Sequence, residues 1–176
     1  MKSNEEIKVD VKKELLDGTL VGAIDQGTSS TRFLLFTVNG QIAASAQLEH
    51  PQLYPQAGWH EHDPLVLWKN TVACISAVCK AVNHLNKDNL AAIGITNQRE
   101  TTIAWNRKTG RPYYHAIVWD DTRPDDIAHE IAQTYGPALT KTTGLPVSSY
   151  FAGTKVKWLL DNVEALRCDV EKKPLD

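Results

Sequence analysis

Two short apolar runs separated by a polar turn are the clearest pattern in the chain. The first run, Leu20–Ile24, ends on the carboxylate of Asp25, and the second, Phe33–Phe36, begins after a polar stretch that includes Gly27. Two such runs around a glycine-containing turn predict a hairpin of buried strands. We expect Gly27 to take the positive φ that a tight bend needs.

Further strands are predicted from the same kind of pattern. The Asn-Gly pair within Val38–Gln41 is a strong signal for a two-residue turn and leads into a third antiparallel strand over Gln41–Glu49. Three later runs are also predicted as strands: Leu90–Thr96, which is expected to be buried, Thr101–Asn106 and Ala116–Trp119.

Three helices are predicted between and after these strands. The first is capped by Asp63, begins at Pro64 and ends near Leu85. Its core-facing residues are expected to be Leu65, Trp68, Val72, Ile75, Cys79 and Val82. The second begins at Pro124 and stops at Gly136-Pro137, and the third spans Ala152–Val163. Strands that start antiparallel and then alternate with helices predict an α/β fold with a mixed β-sheet and flanking helices.

The two ends of the chain lack a clear pattern. We expect residues 1–18 to be a flexible N-terminal extension, frayed or weakly helical, and residues 19–176 to form one incomplete domain. Arg167–Asp176 is polar and contains no predicted closing element, so we expect a further domain to be absent from this sequence.

Composition narrows the function classes. The chain has 176 residues with 42% hydrophobic content and a net charge of −2, which gives no reason to expect nucleic acid as a partner. No apolar run approaches the ~18 residues of a membrane span. The three cysteines fit neither a disulfide framework nor a paired metal spacing, and we expect Cys74 and Cys79 to be small core residues. A reducing, cytoplasmic location is therefore expected.

The turn of the first hairpin has the chemistry of an anion site. Thr28, Ser29 and Ser30 add three hydroxyl groups to the backbone N–H groups of the turn. Asp25 is suited to hold Mg²⁺ through water, and Arg32 to meet phosphate oxygens with a planar fork. The alternative is an ordinary hairpin whose turn is rich in serine and threonine.

A second polar cluster follows the strand predicted at Leu90–Thr96. Arg99 donates and Glu100 accepts hydrogen bonds, a combination that suits a ligand with vicinal hydroxyl groups. Trp119 and Tyr150 offer aromatic faces to a short carbon chain. The alternatives are a surface ion pair for the first two residues and core packing for the two rings. We expect this cluster and the hairpin turn to face one cleft.

A third polar segment is better explained by structure than by chemistry. His60 and His62 flank Glu61 and superficially suggest a metal site. Residues at i and i+2 reach one metal only from an extended strand, and this segment leads directly into a helix, so a structural loop is favoured.

Several motifs resemble the glycerol kinase branch of the FGGY carbohydrate kinases, over roughly residues 21–163. They are Asp25-Gln-Gly-Thr-Ser-Ser-Thr-Arg32, Tyr54-Pro55, Gly58-Trp59, Glu61-His-Asp-Pro64, Ile93-Gly-Ile-Thr-Asn-Gln-Arg-Glu-Thr-Thr102, Ala116-Ile-Val-Trp119, Thr143-Gly-Leu-Pro146 and Tyr150-Phe151. The resemblance implies a ribonuclease H-like, actin-like ATPase fold. It also implies transfer of the ATP γ-phosphate to glycerol, which gives sn-glycerol 3-phosphate in glycerol catabolism.

The resemblance also implies residue roles. Asp25 would assist Mg²⁺, Thr28–Ser30 and Arg32 would contact the ATP phosphates, and Arg32 would act during transfer. Arg99, Glu100 and Tyr150 would hydrogen-bond glycerol, with Trp119 against its carbon chain. A homo-oligomer is possible for a full-length relative.

The sequence departs from the family pattern in two ways. Asp120 and Asp121 follow Trp119 where many bacterial relatives carry Gln-Cys. If the isolated chain were to turn over ATP and glycerol, Asp120 or Asp121 would become the candidate base. The second domain, which in the family supplies a catalytic aspartate and the adenine pocket, is not matched, so we expect the isolated chain to be nearly inactive. Three alternatives stay open: a related sugar or polyol kinase, a non-catalytic polyol-binding form, and an actin-like ATPase, which lacks the Arg99–Glu100 cluster.

Overall fold

The computed structural model describes residues 7–83, 85–86 and 88–172 in two compact units. Within these residues, the first unit runs to Pro51 and resumes over Leu65–Gln98. The second unit comprises Gln52–Pro64 and continues from Arg99. The predicted end segments at residues 1–6 and 173–176 lie outside the described residues.

The first unit is a five-stranded mixed sheet with one helix against it. Its strands are β1 (Val9–Val11), β2 (Leu20–Gln26), β3 (Ser30–Thr37), β4 (Ile42–Glu49) and β6 (Leu90–Thr96), and its helix is α1 (Pro64–Ala81). The spatial order is β1-β4-β3-β2-β6, with β6 parallel to β2 and the other pairs antiparallel. The predicted hairpin, third strand and later strand over Leu90–Thr96 are confirmed. The expected burial of the last strand is wrong, since Ile93 and Ile95 of β6 are 48% and 75% exposed.

The core of this unit lies between the sheet and α1. Phe33 and Leu35 of β3 pack with Cys74 and Val78 of α1 in one buried cluster. The helix therefore turns Leu67, Cys74 and Val78 inward rather than the residues that its three- and four-residue spacing indicated.

The predicted core face of α1 is wrong in most of its members. The side chains of Leu65, Trp68 and Val72 are 57%, 68% and 42% exposed, and Cys79 is also exposed. Apolar residues cover a wide arc of this helix, so periodicity by itself did not distinguish the two possible faces. Val82, just beyond the helix, is buried as expected.

The segment before the hairpin is not frayed or weakly helical over its described part. Val9–Val11 pairs with β4, Val9 opposite Ala46, and a short 3-10 turn follows at Lys13–Leu15. Val9 and Val11 pack against the core while Asp10 faces out, a period of two that is typical of a strand.

The second unit is built from a short two-stranded sheet and three helices. Glu61–His62 (β5) pairs antiparallel with Ala116–Ile117 (β7), and the helices are α2 (Asp125–Thr143), α3 (Ala152–Asn162) and α4 (Glu164–Glu171). The strand predicted at Thr101–Asn106 is reduced to two isolated bridges, Thr102 with Ile117 and Trp105 with Pro112.

Two helix predictions in this unit are also corrected. The helix α2 does not stop at Gly136-Pro137 but continues to Thr143, with Pro137 inside it. It ends at Gly144, whose φ of 74° is the left-handed geometry that terminates many helices. The helix α4 was not predicted, because its sequence is polar on most sides.

Among the described residues, no helix combines the length and apolar character that crossing a membrane requires.

Candidate functional site

The turn between β2 and β3 brings the predicted phosphate-binding residues together. Asp25 lies opposite Arg32 in the strand register, and the Gly27 N–H donates to the Ser30 carbonyl over 2.9 Å to close the turn. Gly27 does not have a positive φ, contrary to expectation. Its missing side chain instead favours a close approach, because a Cβ there would lie 3.2 Å from the Ser30 carbonyl oxygen, a tight contact.

The ionic groups of this turn are paired with each other and remain accessible. The Arg32 guanidinium donates to the Asp25 carboxylate, and the two side chains are 48% and 25% exposed. Ser29 is exposed, Thr28 and Ser30 are half-buried, and Ser30 Oγ accepts a hydrogen bond of 3.1 Å from Gln47. The turn thus offers hydroxyl groups and one guanidinium to an incoming anion.

His50 supports this turn and was not predicted as part of it. Its Nε2–H donates to the Thr28 carbonyl over 2.7 Å, and its backbone N–H donates to the Ser29 carbonyl. Burial lowers the pKa of His50, and the hydrogen bond to the Thr28 carbonyl offsets only part of this effect. The lowered pKa favours the neutral ring. The sequence did not indicate this role, because His50 lies about 20 residues from the turn along the chain.

In the second unit, Glu100 has an unusual backbone conformation. Its φ is 65°, and among the described residues it is the one non-glycine residue with a positive φ. Its carboxylate Oε2 accepts a hydrogen bond of 2.8 Å from the backbone N–H of Ala152 at the start of α3. Arg99 is exposed beside it. Residues in strained backbone conformations cluster at functional sites.

Trp119 and Tyr150 form an accessible aromatic pair in the same unit. Their ring centroids are 6.0 Å apart in an edge-to-face arrangement, and the side chains are 37% and 40% exposed. Tyr150 lies two residues before Ala152, the partner of Glu100. The structure therefore brings Glu100, Trp119 and Tyr150 into one neighbourhood, with Arg99 next to Glu100 in the chain. Their exposure argues against simple core packing.

A buried ionic cluster fixes the turn that carries Trp119. The Arg123 guanidinium donates to both Asp121 and Glu61 over 2.8 Å, with all three side chains at most 5% exposed, and it stacks 3.8 Å from the Trp59 ring. Burial by itself would raise the pKa of Glu61, but hydrogen bonds from His115, Arg123 and Tyr114 outweigh it and lower that pKa. The sequence did not reveal this cluster, because its members are far apart along the chain.

This cluster separates the roles of the two adjacent aspartates. Asp121 is buried and also accepts the backbone N–H of His60 over 2.6 Å, so it is engaged in structure. Asp120 is 42% exposed and pairs with His60 Nδ1 over 2.7 Å. Asp120 is therefore the more accessible candidate base of the two.

The segment around His60 and His62 is not wholly the predicted loop, since Glu61–His62 forms the strand β5. Both rings contact the Gln52 side-chain oxygen, over 2.8 and 2.7 Å. In the part of the chain that the structure describes, no group of three histidine, cysteine or acidic side chains has metal-binding geometry.

Comparisons with known proteins agree on one family. A family model described as the FGGY family of carbohydrate kinases, N-terminal domain, matches residues 20–173. A glycerol kinase from Saccharopolyspora erythraea is 52% identical over 157 residues, which is 88% of this chain and 31% of the relative. A glycerol kinase from Brucella anthropi is 51% identical over 148 residues, with 84% and 30% covered.

Solved structures show the same relationship. Plasmodium falciparum glycerol kinase with ADP has a TM-score of 0.80 and 34% identity, over 88% of this chain and 31% of that one. A xylulose kinase from Brucella ovis has a TM-score of 0.74 and 25% identity, over 85% and 30%. These neighbours confirm the expected actin-like fold class.

The chain spans about 30% of the length of the curated relatives it matches. Since the family model covers most of the chain, the chain belongs to the FGGY family of carbohydrate kinases.

Proposed function

We propose that the chain supplies the polyol-binding and phosphate-binding residues of an ATP-dependent glycerol kinase, which forms sn-glycerol 3-phosphate. The observation that carries the proposal is the neighbourhood of Glu100, Trp119 and Tyr150 in the second unit. Identities near 50% to glycerol kinases favour glycerol over longer polyols as the acceptor. A cytoplasmic location and a homo-oligomer in the full-length protein belong to the same proposal.

The polyol would be held by complementary donors and acceptors. Each hydroxyl group both donates and accepts, so the Arg99 guanidinium would donate to one while the Glu100 carboxylate accepts from another. Tyr150 offers a hydroxyl group for a further bond, and Trp119 an apolar face for the carbon chain. Because Glu100 is already held by Ala152, little side-chain entropy would be lost on binding.

The phosphate residues fit a nucleotide and its metal. Bound Mg²⁺-ATP would supply the phosphoryl group and neutralise its charge. Thr28, Ser29 and Ser30 would donate to phosphate oxygens, and the half-exposed Arg32 would turn from Asp25 toward them. The Asp25 carboxylate would then be released to hold Mg²⁺ through water, for which oxygen donors are suited.

A calorimetric panel tests the substrate assignment. The chain is titrated with glycerol, xylitol, ribitol and D-xylulose. Arg107→Ala, which changes an exposed arginine in a surface turn of the same unit, serves as a control. We expect glycerol to bind at least about tenfold more tightly than the others, since a site built for three hydroxyl groups rejects mismatched ones.

The panel also separates the alternatives. If the chain binds D-xylulose more tightly than glycerol, a related sugar kinase becomes the better assignment. If the full-length protein binds glycerol but transfers no phosphoryl group to it, the non-catalytic polyol-binding form would be supported. Binding of none of these ligands would contradict the polyol assignment altogether.

A further inference from the structure

Lys155 in α3 is a fully buried lysine bonded to backbone carbonyls. Its side chain is 0% exposed, and its ammonium group donates to Ser149 O over 2.6 Å, to Tyr150 O over 2.7 Å and, more weakly, to Trp119 O over 3.4 Å. Lysine is almost never fully buried unless it is paired, because removing the charge from water is costly. The three bonds use all three N–H groups of the ammonium.

The carbonyls that Lys155 binds belong to the two segments that carry the aromatic pair. One segment follows β7 and presents Trp119, and the other precedes α3 and presents Tyr150. The two rings touch edge to face at 6.0 Å. The ammonium therefore links the backbones of two residues, 31 positions apart in sequence, whose side chains meet.

We propose that Lys155 is a positioning residue of the polyol site, holding the Trp119 and Tyr150 backbones together so that their rings keep the spacing that receives the carbon chain. The polyol part of this inference rests on the proposed function, whereas the link between the two segments rests on the contacts described above. Lys155 itself touches neither reactant.

Deprotonation of Lys155 provides a way to observe this link. Burial lowers its pKa to about 8, while the carboxylates of Asp121, Glu100 and Asp120, which face it from the neighbouring segments, act in the opposite direction. An exposed lysine stays charged to about pH 10. A neutral amine has two N–H groups instead of three, so one carbonyl loses its donor as pH rises through about 8. The weakest of the three bonds, that to Trp119, is the first expected to be lost.

Fluorine NMR of the chain with 5-fluorotryptophan measures this directly. The chain has five tryptophans, and Trp119→Phe identifies the resonance of interest. We expect the Trp119 resonance to titrate with a midpoint near pH 8, and the titration to vanish in Lys155→Met. Lys157→Met is the matched control, since Lys157 lies on the same helix but is exposed and paired with Asp161. In this variant the titration of the Trp119 resonance should be unchanged.

A resonance that stays flat in the wild-type chain from about pH 7 to about pH 9.5 would overturn the proposal. So would a titration that persists in folded Lys155→Met. Should Lys155→Met fail to fold, Lys155→Arg takes its place: arginine stays charged over this pH range, so the Trp119 resonance should stay flat, and a titration that persists would overturn the proposal.

Glycerol affinity gives a second, separable readout. Lys155→Met should weaken glycerol binding about tenfold, and Lys157→Met should leave it unchanged. If the wild-type chain binds no glycerol while the Trp119 titration depends on Lys155, the proposed function fails and the positioning role stands. If glycerol binds equally to wild type and Lys155→Met, the positioning role is wrong and the proposed function stands.

Discussion

At the scale of single residues, Glu100 is the most informative position. Its left-handed backbone places the carboxylate against the N–H of Ala152 at the start of α3. A non-glycine residue in that region costs about 1–2 kcal/mol, which the surrounding contacts must offset. The carboxylate also lies at the favourable, positive end of the helix dipole. Glu100 therefore combines a strained backbone with a side chain that serves local structure.

Substitution of Glu100 separates these two contributions. Both Glu100→Ala and Glu100→Gly remove the bond to Ala152, but only glycine relieves the backbone strain. We expect Glu100→Gly to be about 1 kcal/mol more stable than Glu100→Ala in urea unfolding. Both should lose glycerol binding.

The matched control is Glu130, which is exposed within α2. There the order should reverse, with glycine about 1 kcal/mol less stable than alanine, because glycine weakens a helix interior. Equal stabilities of the two Glu100 variants would show that the positive φ is not imposed by the folded structure.

The sequence could predict which residues of one contiguous motif lie together, but it could not predict contacts between residues far apart in the chain. Asp25 and Arg32 were placed together from the sequence because a hairpin register fixes their proximity. The bond between Glu100 and Ala152 and the carbonyl contacts of Lys155 depend on how helices and loops close over tens of residues. The local pattern of apolar and polar residues does not predict such long-range contacts.

At the scale of elements, α1 shows how packing overrides periodicity. Cys74 and Val78 pack in one buried cluster with Phe33 and Leu35 of β3, and Leu67 is also buried. Leu65 and Trp68, by contrast, are exposed. Strand positions were predicted better than helix faces, because a hairpin turn and a run of apolar residues leave fewer alternatives. The end of α2 was mispredicted because Pro137 is a weaker stop than Gly144.

Two valines on α1 test the corrected face. Val78 is 0% exposed and Val72 is 42% exposed on the same helix. Val78→Asp should destabilise the chain by more than about 3 kcal/mol, because it buries a carboxylate without a partner. Val72→Asp should change stability by no more than about 1 kcal/mol. Chemical denaturation of both variants is the measurement, and the reverse order would restore the face predicted from the sequence.

At the scale of the whole molecule, the two units carry different chemistry. The first unit presents an accessible guanidinium and hydroxyl groups in a hairpin turn, which suits phosphate. The second presents a carboxylate and an aromatic pair, which suits a polyol. The mixed sheet of the first unit was predictable from its apolar runs. The division into two units was not, because Gln52–Pro64 joins residues from Arg99 onward in the second unit and so interrupts the first.

The most direct test of this account is a pair of variants measured against both ligands by calorimetry. Arg99→Ala should weaken glycerol binding at least about tenfold and leave Mg²⁺-nucleotide binding unchanged, since its proposed partners are hydroxyl groups. Arg32→Gln should do the opposite, because it removes a charge-assisted bond to phosphate. If each variant weakened both ligands equally, the assignment of polyol and phosphate to separate residues would be wrong.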